Sequence, residues 1–376
     1  MTTSGPVVVA DGRLGAEMGA LLADGRSGGA FETAAGWAWH AGEIVGRAWV
    51  GGGDGPVPLQ QKRFDLASVT KPLGVGVLAM QAVSRGVLDL DRQLFPDLPQ
   101  HLTARALLGH RAGLPPWKAW VDALPPGFRA GTVRTRFALE ALVRQAARDS
   151  NPAQGAVYSD IGYMLLHMFF EQTTGRRLRE LVPGFRPPRP ARDPDAFVGC
   201  GMCPVRRRAL FGEVHDPQAW AFGGAAGHAG LFATPDEVGQ MAVALVETAA
   251  GRPQPVGAVR GLAPEVVRHF WAPEGRPDGW DSTWALAWDR PSPGASSAGR
   301  SVAKDAIGHL GFTGTSLWIE PSRALVMVLL TNRVALGDAA QARLRAFRPL
   351  FHDAVRALLA LGDCPAHTAM ALIPST

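Results

Sequence analysis

Lysine and tyrosine are nearly missing from this chain. Its 376 residues include only Lys62, Lys71, Lys118 and Lys304, and only Tyr158 and Tyr163; the other 34 of its 38 basic residues are arginines. The basic residues are scattered, apart from Arg206-Arg207-Arg208, and no aromatic platform accompanies them. The net charge of +5 therefore reads as compositional bias, and no nucleic-acid partner is expected. Three cysteines, Cys200, Cys203 and Cys364, are too few for a disulfide scaffold. Cys200-Gly-Met-Cys203 has no second CxxC, so a closed zinc site would have to borrow distant histidines. No apolar run reaches the ~18 residues of a membrane-spanning helix. The first 25 residues carry Asp11, Arg13, Glu17 and Asp24 and lack a signal-peptide core, so the chain as given is expected in the cytoplasm. Also missing are H-E-x-x-H and any lysine followed by Ser or Thr, which excludes a zincin helix and a Walker A loop.

In a chain so short of lysine, Lys71 stands three residues after Ser68, in Phe64-Asp-Leu-Ala-Ser-Val-Thr-Lys71, and an apolar run follows at once. The spacing predicts a central helix over 68–86 with Ser68 and Lys71 on one face of its first turn. Arginine stays charged, whereas lysine can be tuned by its surroundings. An apolar setting is expected to depress the Lys71 pKa toward neutrality, so that the amine accepts the Ser68 proton. Tyr158-Ser-Asp160 precedes an apolar helix. Its tyrosine is a candidate proton carrier, or a core aromatic, and Ser159 or Asp160 a candidate helix N-cap. Gly308-His-Leu-Gly-Phe-Thr-Gly314 precedes a hairpin. Its glycines let backbone approach a ligand, its Phe312 N–H pairs with that of Ser68 as an oxyanion hole, and His309 is a donor, a positive charge or an ordinary turn histidine. Gly212-Glu-Val-His-Asp216 and Gly223-Gly-Ala-Ala-Gly-His-Ala-Gly-Leu-Phe232 read first as loops shaping a pocket wall, then as substrate contacts, and last as a metal site on His215, Asp216 and His228. The turn around His110 reads as structural.

Along the chain, helical spacing covers 14–23, 102–108, 137–147, 158–174, 236–249 and 339–361. Strand signals cover 36–50, as two strands about a glycine turn, then 283–288 and a hairpin over 315–330. Residues 180–210, rich in Pro and Arg, read as a surface excursion. The expected class is α+β. Residues 1–66 and 283–376 form an antiparallel sheet domain flanked by the N- and C-terminal helices. Residues 67–282 form an inserted, mostly helical lobe, and the active site lies in the crevice between them.

S-x-x-K, Y-x-D and H-x-G in this order resemble the serine β-lactamase and penicillin-binding-protein superfamily, over residues 30–360. The text around the motifs is similar to its class C-like branch of esterases, D-amino peptidases and cell-wall hydrolases. Gly212-Glu-Val-His-Asp216 and Gly227-His-Ala-Gly-Leu-Phe232 resemble a subgroup containing a low-molecular-weight penicillin-binding protein and a serine-type N-acetylmuramoyl-L-alanine amidase. The resemblance implies Ser68 as nucleophile, Lys71 as base, Tyr158 as proton carrier, and the Ser68 and Phe312 N–H groups as oxyanion hole. Asp160, His309, Gly311 and Thr313 are the expected substrate-binding residues, with no metal and no cofactor. Two positions depart from the pattern. Asp160 replaces the usual Asn, and its carboxylate would hold Lys71 charged. His309 replaces the Lys of K-T-G and, partly neutral at pH 7, should grip a β-lactam carboxylate less firmly. Esterase, amidase or carboxypeptidase chemistry on a small-molecule or muropeptide substrate is therefore expected. The alternative is a protein that binds such a ligand, or is acylated by it, without turnover.

Overall fold

The computed structural model describes residues 7–52, 56–152, 155–184, 191–252, 257, 259–274 and 283–361. Ten strands are described: β1 (Val7–Asp11), β2 (Ala34–His40), β3 (Glu43–Gly51), β4 (Phe64–Asp65), β5 (Met202–Cys203), β6 (Arg208–Ala209), β7 (Phe232–Ala233), β8 (Ile307–Leu310), β9 (Ser316–Glu320) and β10 (Leu325–Thr331). Six of them form one antiparallel sheet in the order β1-β3-β2-β10-β9-β8, joining the two ends of the chain. The β2–β10 register sets Met327 opposite Ala38, and the β9–β10 register sets the same Met327 opposite Trp318.

Strand β10 shows why the sheet is central. Successive side chains on a strand point to opposite faces. Leu325, Met327 and Leu329 enter one apolar cluster, with Met18 and Leu22 of helix Gly15–Ser27 and Phe347 and Phe351 of helix Ala340–Leu358. Val326, Val328 and Leu330 enter the other cluster, which runs into the helical part of the chain. A strand buried on both faces reads as a continuous apolar run rather than an alternation. Helix Pro235–Ala249, capped by Thr234 and Glu237, covers the second face. It lies so close that a Cβ on Gly239 would sit 2.5 Å from the Trp37 ring, so glycine is required there. The Trp37 indole N–H donates to Asp236 at its start.

Three sequence expectations change, and one strand is added. The central helix is α-helical only over Val77–Ser84; before it come a 3₁₀ turn (Ala67–Val69) and a π-helical stretch (Lys71–Gly76). Ser68 therefore lies on the 3₁₀ turn and Lys71 opens the π-helical stretch, and the two still meet at 2.8 Å. Residues 283–288 form no strand but a tight turn, with Ala287 at φ +70° and the Ala285 N–H bonded to Trp288 O. Its run of buried apolar residues comes from enclosure on all sides rather than from a pleat. Residues 191–210 are not a surface excursion. Phe197, Val198, Cys200, Cys203 and Leu210 are buried, and β5 pairs with β6. Those apolar residues come singly or in pairs among Pro, Arg and Gly, with no regular period; residues 185–190 of that stretch lie outside the described residues. Finally, β1 had no counterpart in the sequence reading.

Candidate active site

Local chain geometry builds the centre of the site. The buried Lys71 amine donates to Ser68 Oγ at 2.8 Å, to Tyr158 Oη at 2.5 Å and to Asp160 Oδ1 at 2.7 Å, and it lies 3.4 Å from the His228 carbonyl. The Tyr158 hydroxyl donates to Ser68 Oγ at 2.7 Å. Ser68, Lys71, Tyr158 and Asp160, from segments almost 90 residues apart, thus share one hydrogen-bonded cluster.

The turn around His110 delivers Tyr158. The Val157 N–H donates to His110 O at 2.9 Å and the Ser159 N–H to His110 Nδ1 at 3.0 Å. Ser159 then N-caps helix Asp160–Thr174. His110 is therefore a structural residue in contact with the site, its ring 4.7 Å from that of Tyr158.

The expected depression of the Lys71 pKa is overturned. Burial pulls it down, but the charge of Asp160 and the contact with Tyr158 outweigh burial, and the net direction is upward. The ammonium is fully enclosed and paired with a carboxylate whose side chain is only 16% exposed. Burial pushes the Tyr158 phenol above its ordinary value, against the pull of Lys71.

The cluster opens into a cavity of about 780 Å³ lined by Ser68, Tyr158, Asp160, His309, Gly311 and Phe312 of the expected residues. Thr313 is not brought to it. It is 1% exposed, and its hydroxyl donates to the Asp65 carbonyl. The H-x-G segment begins on edge strand β8 and is pinned by arginines: Arg348 donates to Gly311 O and Thr315 O, and Arg333 to Phe312 O. His309 supplies no positive charge. Burial and the nearby Lys71 depress its pKa to about 3. Nδ1 lies 2.8 Å from the Leu310 carbonyl, which can only accept, so Nδ1 carries the proton and Nε2, with no partner among the described residues, is an acceptor.

The cavity has further lining that sequence reasoning missed: Trp117, Trp284, Asp289, Gln341 and Arg348. None stands in a pattern with the motifs, so no local signal marked them. His215, Asp216 and His228 also line it. Asp216 Oδ1 meets His228 Nε2 at 3.0 Å, while the His215 ring lies 5.7 Å from that of Phe312. No group of three His, Cys, Asp or Glu among the described residues is placed to hold a metal ion. Cys200 and Cys203 pack with Leu210 as small apolar side chains.

The beta-lactamase family profile matches residues 18–348. An N-acetylmuramyl-L-alanine amidase of Bacillus subtilis (strain 168) is 29% identical over 314 residues, covering 72% of this chain and 68% of the relative. The crystal structure of SurE superposes with a TM-score of 0.63 at 26% identity, covering 89% of this chain and 75% of that one. A class C beta lactamase from Rhodobacter sphaeroides, at 17% identity and a TM-score of 0.60, shares the fold over 91% of this chain and 99% of its own. With the family profile spanning most of the chain, and the α+β fold to match, this protein belongs to the beta-lactamase family and is a serine hydrolase.

Proposed function

We propose that the chain hydrolyses an ester or amide bond of a peptidoglycan-derived or similar small substrate through an acyl-enzyme on Ser68. The observation that carries this reading is the Lys71 amine within 2.8 Å of Ser68 Oγ and 2.5 Å of Tyr158 Oη. Ser68 is the nucleophile and Lys71, in its neutral form, the base. Tyr158, bonded to both, carries the proton onward to the leaving group, work worth ~10²–10⁴-fold. The main-chain N–H groups of Ser68 and Phe312, two residues that line the cavity, stabilise the oxyanion. Asp160, His309 and Gly311 contact substrate. The name of the Bacillus subtilis relative supports a muropeptide amide as the scissile bond. His309, held neutral, brings no positive charge to a β-lactam carboxylate.

A fluorophosphonate probe followed by intact-mass spectrometry tests this. Wild type gains one adduct and Ser68→Ala none; equal labelling of Ser68→Ala refutes the assignment. The Lys71–Asp160 pair also favours a second reading, in which the serine is acylated without turnover. Multiple turnovers on a nitrophenyl ester exclude it.

A further inference from the structure

The Gly212–Asp216 motif has no part in the chemistry above, yet two of its consecutive residues reach both ends of S-x-x-K. The His215 N–H donates to Asp65 Oδ2 at 2.6 Å, and the other oxygen of that carboxylate accepts the Ala67 N–H at 2.9 Å. Ala67 immediately precedes the nucleophile and stands at φ +45°, a left-handed conformation that an alanine rarely adopts. Such backbone persists only where its surroundings over-determine it. Asp65 is 2% exposed, and burial pushes its carboxyl up to about 6, so the group is retained against a desolvation cost.

The neighbouring residue serves the other end. Asp216 Oδ1 accepts the Ala219 N–H at 2.7 Å and holds His228 Nε2 at 3.0 Å, and the carbonyl of that same His228 lies 3.4 Å from Lys71 Nζ. His228 is 1% exposed in a tight turn in which the Ala226 N–H bonds to Ala229 O. A Cβ on Gly227 would lie 2.0 Å from the Tyr163 carbonyl, so this turn sits hard against the helix that carries Asp160. The Thr70 hydroxyl, next to Lys71, accepts the Leu231 N–H beyond the turn.

Resting on the serine-hydrolase reading above, we propose that Asp65 and the Asp216–His228 pair are positioning residues, joined through the Gly212–Asp216 segment, that hold Ser68 and Lys71 at their working separation. The segment acts as a brace. Asp65 fixes the strained residue before the nucleophile, and Asp216 fixes the turn whose carbonyl meets the base. Neither carboxylate exchanges a proton with substrate.

The test is the rate constant for fluorophosphonate labelling of Ser68, with kcat and KM on a nitrophenyl ester and the melting temperature, in the full chain. Misplacing a reacting group by about an ångström costs on the order of 100-fold. Asp65→Ala and Asp216→Ala should therefore label at least about 10-fold more slowly, with the loss in kcat and KM within about twofold of wild type. In Asp216→Asn the amide oxygen still accepts both N–H groups, so labelling should return to within about threefold of wild type. Wild-type labelling rates in the alanine variants overturn the brace. So does a loss in Asp216→Asn equal to that in Asp216→Ala, since charge and not geometry would then be at work. Should Asp65→Ala fail to fold, Asp65→Asn offers one acceptor for two N–H donors and should still slow labelling; wild-type labelling there overturns the proposal. The Ser68→Ala control keeps the two readings apart. If it labels, the hydrolase assignment itself has failed; if it does not, and the Asp65 and Asp216 variants label normally, only the brace has.

Discussion

Asp160→Asn isolates the charge that sets the Lys71 amine. The substitution keeps an oxygen acceptor where Asp160 Oδ1 now lies, 2.7 Å from Nζ, and removes the negative charge. Two unit charges at that separation, at an effective dielectric near 20, attract by about 6 kcal/mol. Burial, the largest influence on Lys71, favours the neutral amine and is at present overridden mainly by Asp160. In the variant burial should prevail, and each ~1.4 kcal/mol of lost attraction raises the neutral fraction tenfold. The assay is kcat/KM on a nitrophenyl ester against pH. At pH 7 the variant should exceed wild type by about tenfold or more, with its acid limb displaced to lower pH, and the two profiles should converge at high pH where Lys71 is neutral in both. Stability should move the other way. A lysine raised in the folded state stabilises it below the unfolded pKa, near 10.4, and that contribution is lost as pH rises through the folded value. The melting temperature of wild type should thus exceed that of the variant at neutral pH, and the gap should close in strong alkali. A rate in Asp160→Asn below wild type at every pH would refute the reasoning, because the carboxylate would then be doing something other than holding a proton on Lys71.

Two further predictions follow from the histidines. His309 is neutral, so His309→Lys puts a donor cation in its place. A charge-assisted hydrogen bond of ~1.5–3 kcal/mol should increase benzylpenicillin acylation of Ser68 about 10-fold or more, read by intact mass over time; an unchanged rate would show that His309 does not govern anion binding. Stability should fall as pH drops below ~6.5. Burial holds His215 at about 4 and His309 at about 3, and lowers His110, His167 and His352 too, so the unfolded chain takes up protons that the folded one refuses. Burial also raises Asp65 to about 6 and Asp289 to about 7, which acts in the opposite sense over the same range, but two carboxyls face five histidines. A melting temperature that stays flat or rises between pH 6.5 and 4 would contradict this balance.

Much of this molecule could be read from residues near one another in the chain. Ser68 and Lys71 are three apart, so any helical turn brings them together, and in a chain with four lysines such a pair is distinctive. The two short apolar runs over 315–330, broken at Pro321-Ser-Arg323, specified the hairpin that became β9 and β10, and the apolar spacing of 14–23 and 339–361 specified the helices that cover one sheet face. Tertiary structure alone decided the rest, because contacts between distant segments leave no period in the sequence. The Lys71 amine stays charged because Asp160, 89 positions away, lies 2.7 Å from it; the apolar run after Lys71 pointed to the opposite protonation state. Thr313 lies inside the motif and yet turns its hydroxyl to the Asp65 carbonyl instead of the cavity. The Asp65 carboxylate takes the His215 N–H from 150 positions along the chain, a bond visible only once β4 and the Gly212–Asp216 loop are folded side by side. Local spacing determines which groups can meet within a turn; the net charge on a buried group depends on everything packed around it, and only the closed fold supplies that.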